Sequence, residues 1–171
     1  LLRKVYATVF GNLAGRYVAG GYVQFTFRET TPSDKDFSNL VAELSSELRA
    51  LTSDSGESSF HADSFSLGTD ICLVIYQSEK AVACGSFRKH DSETCELKRM
   101  YSKYRGAGSY LITQLESCAV IKGYKRSVLS TRKVNDNAVC FYERHGYSKV
   151  SAYGKYVHAS KSVCLGKSLA T

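Results

Sequence analysis

Residues 103 to 116, KYRGAGSYLITQLE, set two glycines, Gly106 and Gly108, and two cations, Lys103 and Arg105, directly ahead of an apolar run with helical spacing. Glycine loses more backbone freedom on folding than any other residue, so a pair here implies that something approaches the main chain closely. At a helix start the first N–H groups lack intrahelical partners, and the aligned peptide dipoles leave about half a positive charge there. The chemistry on offer is capture of a phosphate or pyrophosphate by bare amides, flanked by an ammonium and a guanidinium. Taken alone, the same residues also suit a tight turn with solvated cations. Two other phosphate loops are excluded by spacing: there is no GxxxxGK[ST], and no GxGxxG follows the first strand of a βαβ unit.

The remaining reactive side chains are dispersed. His61, His90, His145 and His158 lack ligand spacing, and the six cysteines never approach CxxC or CxxH, so neither a metal cage nor a redox pair is expected. The cysteines read as small core hydrophobes in a reducing, cytoplasmic setting. A lone cysteine nucleophile would lack a paired histidine. Singly, Tyr142 reads as a core side chain, and Glu96 as either a solvent-face glutamate or a carboxylate placed for proton transfer.

These residues need elements to hold them. Pro32 and the acids after Thr31 open an amphipathic helix whose apolar positions run from Phe37 through Leu40, Val41, Leu44 and Leu48 to Leu51. Residues 52–69 are rich in Ser and Asp and form a long polar loop. DICLVIYQ, KAVACGSFRKH and TCELKRMYS read as successive antiparallel strands. A helix over 108–123 stops at a glycine. RSVLST is a short strand, NDNAVCFYERHG a helix opened by an asparagine cap, and YSKV and SVCLGKSL two last strands. Such an order gives one α/β layer fold. A single domain is expected over 22–171. Residues 1–21 form an N-terminal extension, within a cation-bearing, acid-free stretch whose composition also resembles a transit sequence.

Composition narrows the function classes. The 171 residues are 43% hydrophobic and 23% charged, the profile of one globular domain, and no apolar run is long enough for a membrane-spanning helix. The net charge of +7 is unevenly spread: residues 29–70 hold nine acids and two bases, residues 98–133 nine bases and one acid. The basic block surrounds the glycine stretch, which suits a compact polyanion better than a nucleic acid, and no RRM, KH or helix-turn-helix pattern is present. The acidic half, with Asp63, Asp70 and the neighbourhood of His61, is expected to attract a cationic acceptor.

ELKRMY, KYRGAG and NDNAVCFYERHGY, in that order and spacing, resemble the Gcn5-related N-acetyltransferase (GNAT) superfamily. Its [QR]xxGx[GA] pattern falls on Lys103, Gly106 and Gly108, with Lys103 in place of the usual Gln or Arg. An Asn-x-x-Ala-x-x-[Phe or Leu]-Tyr-x-x-x-Gly-[Phe or Tyr] segment matches from Asn135 to Tyr147. The segment from Met100 to Gly108 is shorter than the family's, lacking its Val-x-Pro. The resemblance implies a mixed, mostly antiparallel central sheet flanked by helices, the acyl-CoA N-acyltransferase fold. It implies an acetyl-CoA-dependent enzyme passing an acetyl group directly to a primary amine, of a small molecule or exposed on a protein, without metal, nucleic acid or membrane. Homodimers are common among such proteins. By this resemblance Tyr142 is the general acid for the departing thiolate, and Glu96 takes the amine proton through water. Main-chain groups at Met100 and Tyr101 hold the pantetheine arm. Lys103, Tyr104, Arg105, Gly106, Ala107, Gly108 and Ser109 receive the pyrophosphate, and Asn135 faces the CoA arm. A catalytically silent acyl-CoA sensor is the alternative.

Overall fold

The computed structural model describes residues 15–18, 21–55 and 62–169. The start of the acid-free N-terminal stretch, and His61 with its preceding loop neighbours, lie outside them. The described residues form strands β1 (Gly15–Val18), β2 (Gly21–Thr30), β3 (Ile71–Gln77), β4 (Lys80–Lys89), β5 (Thr94–Ser102), β6 (Arg126–Arg132), β7 (Ser148–Lys149) and β8 (Ser162–Ser168). Three α-helices join them: α1 (Lys35–Thr52), α2 (Ala107–Ile121) and α3 (Asp136–Arg144). The strands make one sheet in the order β1-β2-β3-β4-β5-β6-β8-β7, antiparallel throughout except for the parallel pair β5 and β6. Among the described residues the sheet begins at Gly15, inside the stretch 1–21 expected to be an extension.

Strands β3 to β8 follow the short β-rich runs of the sequence, and the two faces follow from the period of two. On one face α1 buries Phe37 and Leu40 against Cys72, Val74, Cys84 and Tyr101. On the other, Leu111, Ile112, Leu115 and Ala119 of α2 pack on Leu73, Ile75, Ala83, Phe87 and Leu97. Full burial of side chains of this size contributes about 1.5–3 kcal/mol each. Helix α1 starts at Lys35 and not at Thr31, because Thr31 to Asp34 close a turn and the Asp34 carboxylate accepts from the amides of Asp36 and Phe37. None of the described helices is long and apolar enough to cross a membrane.

Cys72, Cys84, Cys95 and Cys164 are buried core thiols. Burial pushes Cys84, Cys95 and Cys118 up to about 12, which leaves them protonated and unreactive near neutrality.

One irregularity shapes the sheet. Cys84 pairs with Tyr101 but Ser86 with Lys98, so β5 carries one more residue than β4 across Gly85. That bulge sits at Arg99, whose φ of 53° is left-handed. The bulge switches side-chain parity along β5: Glu96 and Lys98 share a face before it, and Tyr101 joins α1 on that face after it, while Met100 turns toward α2. Gly85 answers the bulge from β4. A Cβ there would lie 2.6 Å from Met100 Sδ and 3.0 Å from Leu115 Cδ1, so only glycine lets α2 settle at this depth.

Candidate functional site

Strands β5 and β6 stay paired for three residues, from Thr94 with Arg126 to Glu96 with Val128. Beyond them β5 runs on beside β4 and β6 runs on beside β8, so the two parallel neighbours part and leave a wedge in the sheet. A cleft of about 310 Å³ fills it. Leu97 to Met100 form one wall and Leu129 to Arg132 the other. Asn135, Ala138 and Tyr142 enter from α3, Leu44, Leu48 and Thr52 from α1, and Lys155 and Tyr156 from the 3₁₀ turn Gly154–His158.

Tyr142 is 8% exposed, and burial pushes its phenol well above the ordinary tyrosine value. No hydrogen-bond partner for its hydroxyl occurs among the described residues, whereas every fully buried side-chain N or O atom among them has one. The hydroxyl therefore keeps contact with the cleft. Beside it, Asn135 Oδ1 accepts from the Ala138 amide at 3.2 Å and caps α3.

The start of α2 reaches the same region. Gly106 occupies the N-cap at φ 89°, a conformation glycine adopts without strain, and offers no side-chain cap. The Ala107 amide donates to Tyr104 O, while among the described residues no acceptor meets the amides of Gly108 and Ser109. A Cβ on Gly108 would lie 3.4 Å from both Phe141 and Ser102, so this turn sits against α3 and the end of β5. Arg105 is exposed, and no ion pair engages it among the described residues. Lys103 Nζ pairs with Glu43 at 2.7 Å, but both side chains are about two-fifths exposed, and such a pair contributes at most about 1 kcal/mol. The Tyr104 hydroxyl accepts from Gln77 Nε2, its ring meets Phe25 edge-on, and Ala107 is buried in the core.

Glu96 does not stand open to the cleft. It is 1% exposed; Oε1 meets Lys98 Nζ at 2.7 Å and the Tyr153 hydroxyl at 3.0 Å, and Oε2 meets Arg88 at 2.8 Å. Burial acts to raise its pKa, but two cations outweigh that and hold the carboxyl below its usual range, which makes it a weak base. Lys98, sharing that single carboxylate with Arg88, moves the other way: burial lowers it and Glu96 only partly compensates. Its ammonium also donates to the Tyr156 hydroxyl at 2.6 Å. Past Arg99, Met100 and Tyr101 lie where β5 has left β6, with the Tyr101 hydroxyl donating to Glu47 at 2.8 Å.

The acidic half of the sequence does not line the cleft as expected. Asp70 accepts from the amides of Ser66 and Lys89 and from Thr69 Oγ1, fastening a loop to the end of β4, and Asp63 lies on a separate 3₁₀ turn. Of the described acids in 29–70 only Asp54 reaches the cleft, where it pairs with Arg132. The wall residues Asp54, Lys98, Arg132, Lys155 and Tyr156 escaped sequence reasoning because they are far apart along the chain. The concentration of cations in 98–133 was their one local signal. No cluster of three His, Cys, Asp or Glu converges among the described residues.

Solved structures share this fold. A protein from Klebsiella pneumoniae described as an acyl-CoA N-acyltransferase superposes with a TM-score of 0.73 at 26% identity, over 85% of this chain and 97% of its own. A GNAT family acetyltransferase from Elizabethkingia anophelis, solved with acetyl-CoA bound, gives 0.62 at 15% identity over 85% and 98%. Aminoglycoside 6'-acetyltransferase type Ii gives 0.60 at 16% over 85% and 98%. Identities this low in the last two carry the fold alone. No curated protein matches in sequence. The family profile described as Acetyltransferase (GNAT) family matches residues 37–147, and the chain belongs to that family.

Proposed function

We propose that this chain is an acetyl-CoA-dependent N-acetyltransferase that passes the acetyl group directly to a primary amine. The observation that carries the reading is the wedge between β5 and β6, with the Tyr142 hydroxyl inside it and the uncapped start of α2 beside it. The bare amides of Gly108 and Ser109, with Arg105 and Lys103 alongside, suit the cosubstrate's pyrophosphate, and Gly106 lets the chain turn into that helix. The Lys103–Glu43 pair is weak enough to yield to a phosphate. The edge of β5 at Met100 and Tyr101, having left β6, offers main-chain groups to the pantetheine arm, and Asn135 borders its path. A phenol that burial keeps protonated suits proton donation to a departing thiolate, because the same dry surroundings raise the thiolate's affinity for that proton. Glu96, its oxygens already engaged, anchors Lys98 and Tyr153 in the wall, and the amine proton leaves through water in the cleft.

The enclosed Glu96 favours one second reading, a CoA-binding module without turnover. Calorimetric titration with acetyl-CoA and thiol release with a panel of amines separate the two. Heat with acetyl-CoA and release with any amine support the enzyme, heat without release the silent module, and no heat overturns both. In the enzyme, Tyr142→Phe should lower kcat about 10²- to 10⁴-fold while the Kd for acetyl-CoA holds. An unchanged kcat would remove Tyr142 from the chemistry.

A further inference from the structure

We propose that the acceptor amine stands on an apolar carbon skeleton, about the size of a leucine or phenylalanine side chain, which Leu44 and Leu48 of α1 receive in the cleft. The proposal rests on the acetyl-transfer reading and names the kind of amine that reading leaves open. The apolar stripe of α1 runs through Phe37, Leu40, Val41, Leu44, Leu48 and Leu51, a spacing that keeps it on one face of the helix. Its first half packs on the sheet: Phe37 and Leu40 are buried, and Val41 and Leu44 lie against their cluster. Its second half outruns the sheet. Leu48 is half-buried but, among the described residues, packs against neither hydrophobic cluster, and Leu51 is exposed. In front of Leu44 and Leu48 lies the wedge where β5 parts from β6, and both leucines line it.

The charged groups of the same cleft are engaged by the protein itself. Asp54 pairs with Arg132, and Lys98 with Glu96 and the Tyr156 hydroxyl. Arg99 donates to Ser45 and to the Ser55 carbonyl, and the Lys155 ammonium lies over the Tyr156 ring. Leu44 and Leu48 instead present apolar surface to the cleft, and a ligand that covers it gains by releasing water. They also stand on the side the chemistry requires. Leu97, Met100, Ala138 and Tyr142 belong to the cluster on the α2 face, whereas Leu44 packs with the cluster on the α1 face. On a tetrahedral carbon the entering nitrogen and the departing sulfur point in different directions, so with the thiolate at Tyr142 the acceptor's own carbons fall toward the α1 wall. Exposed apolar side chains continue outward from there: Leu51 follows Leu48, Val134 lies between the lining residues Arg132 and Asn135, and Val157 follows Tyr156. A polar or highly charged acceptor would leave this surface uncovered.

The test titrates matched amines into the full chain, alone and saturated with CoA, and follows their acetylation with acetyl-CoA. Isopentylamine and phenethylamine are set against ethylamine and ethanolamine, tripeptides beginning with leucine against the same peptides beginning with glycine, and spermidine serves as the polycation. In at least one series the apolar member should bind about tenfold or more tightly than its short or polar partner, and kcat/KM should follow, the two series telling a small amine from a chain end. Leu48→Asn should abolish that preference with the Kd for CoA unchanged, which also reports that the variant is folded. The milder Leu48→Ala should reduce the preference, and Leu48→Met should keep it. Equal binding within both series, tighter binding of ethanolamine or spermidine, or no amine binding at millimolar concentration would overturn the proposal. So would a preference that survives Leu48→Asn, or a loss of CoA affinity in folded Leu48→Ala, which would assign the leucines to the cosubstrate. If CoA itself gives no heat, the acetyl-transfer reading falls, while the titrations without CoA still read whether the cleft prefers apolar amines.

Discussion

Glu96 holds a lysine, an arginine and a phenol on one carboxylate, so its neighbours depend on it more than it depends on any one of them. Replacing it by glutamine leaves the buried Lys98 ammonium without a carboxylate, beside a partly exposed Arg88, and Glu96→Gln should destabilise the protein by about 3–5 kcal/mol in urea unfolding at neutral pH. Removing the stranded ammonium as well, in Glu96→Gln with Lys98→Met, should restore most of that loss, since a buried pair exchanged for apolar groups is often close to neutral. A double variant as unstable as the two single losses added together would show that the pair is not coupled. The pH dependence has a definite sign. The folded pKa of Glu96 lies below its unfolded value, so its stabilisation is present above about pH 4.5 and is lost as pH falls through the lower folded value. The stability gap between wild type and Glu96→Gln should therefore narrow on acidification, and a gap that widens in acid would contradict the depressed pKa.

Helix α2 shows how far periodicity and spacing reach. Its apolar face, its glycine-rich start and its stop near Gly123 were all legible, as were strands β3 to β8, the apolar face of α1 and the asparagine-capped opening of α3, because these are local signals with a fixed period. What could not be read is non-local: the bulge at Arg99, the 3₁₀ turn at Gly154–His158 that closes the cleft, and the enclosure of Glu96 by residues from three segments. An arginine in a left-handed conformation leaves no mark in the sequence, and the bulge it makes lies across from Gly85, where Leu111 and Leu115 of α2 approach the strand. The two glycines at the helix start also differ in a way spacing does not reveal. Gly106 needs its positive φ, whereas Gly108 has helical backbone and near-contact room for a methyl group. Gly106→Ala should cost about 1–2 kcal/mol through left-handed strain, and Gly108→Ala should stay within about 0.5 kcal/mol, its gain in helix propensity offsetting a tight fit to Phe141. Denaturation midpoints in urea would check both, and the reverse order would mean that the helix starts elsewhere.

Across the whole molecule, the acidic and basic halves of the sequence meet in the fold and partly cancel. Glu43 pairs with Lys103 and Asp54 with Arg132, so the acids that sequence reasoning assigned to attracting an acceptor instead hold α1 and its following loop to the basic side. The cleft itself is a property of the whole sheet: two parallel strands part where a bulge on one is matched by a glycine on the next and a helix packed above. That arrangement ties core packing to ligand binding. A methyl group at Gly85 must push aside the end of Met100 and two leucines of α2, so Gly85→Ala should lose about 1–3 kcal/mol of stability. In wild type, acetyl-CoA at a free concentration of 100 Kd should add about 2.7 kcal/mol, because it binds the folded state alone. Met100 sits on the edge of β5 proposed to hold the pantetheine arm, so displacing it should also weaken the cosubstrate. The stabilisation that a fixed acetyl-CoA concentration confers should be smaller in Gly85→Ala than in wild type. Equal stabilisation by acetyl-CoA in the two proteins, with Gly85→Ala measurably less stable, would show that the bulge shapes the core without shaping the site.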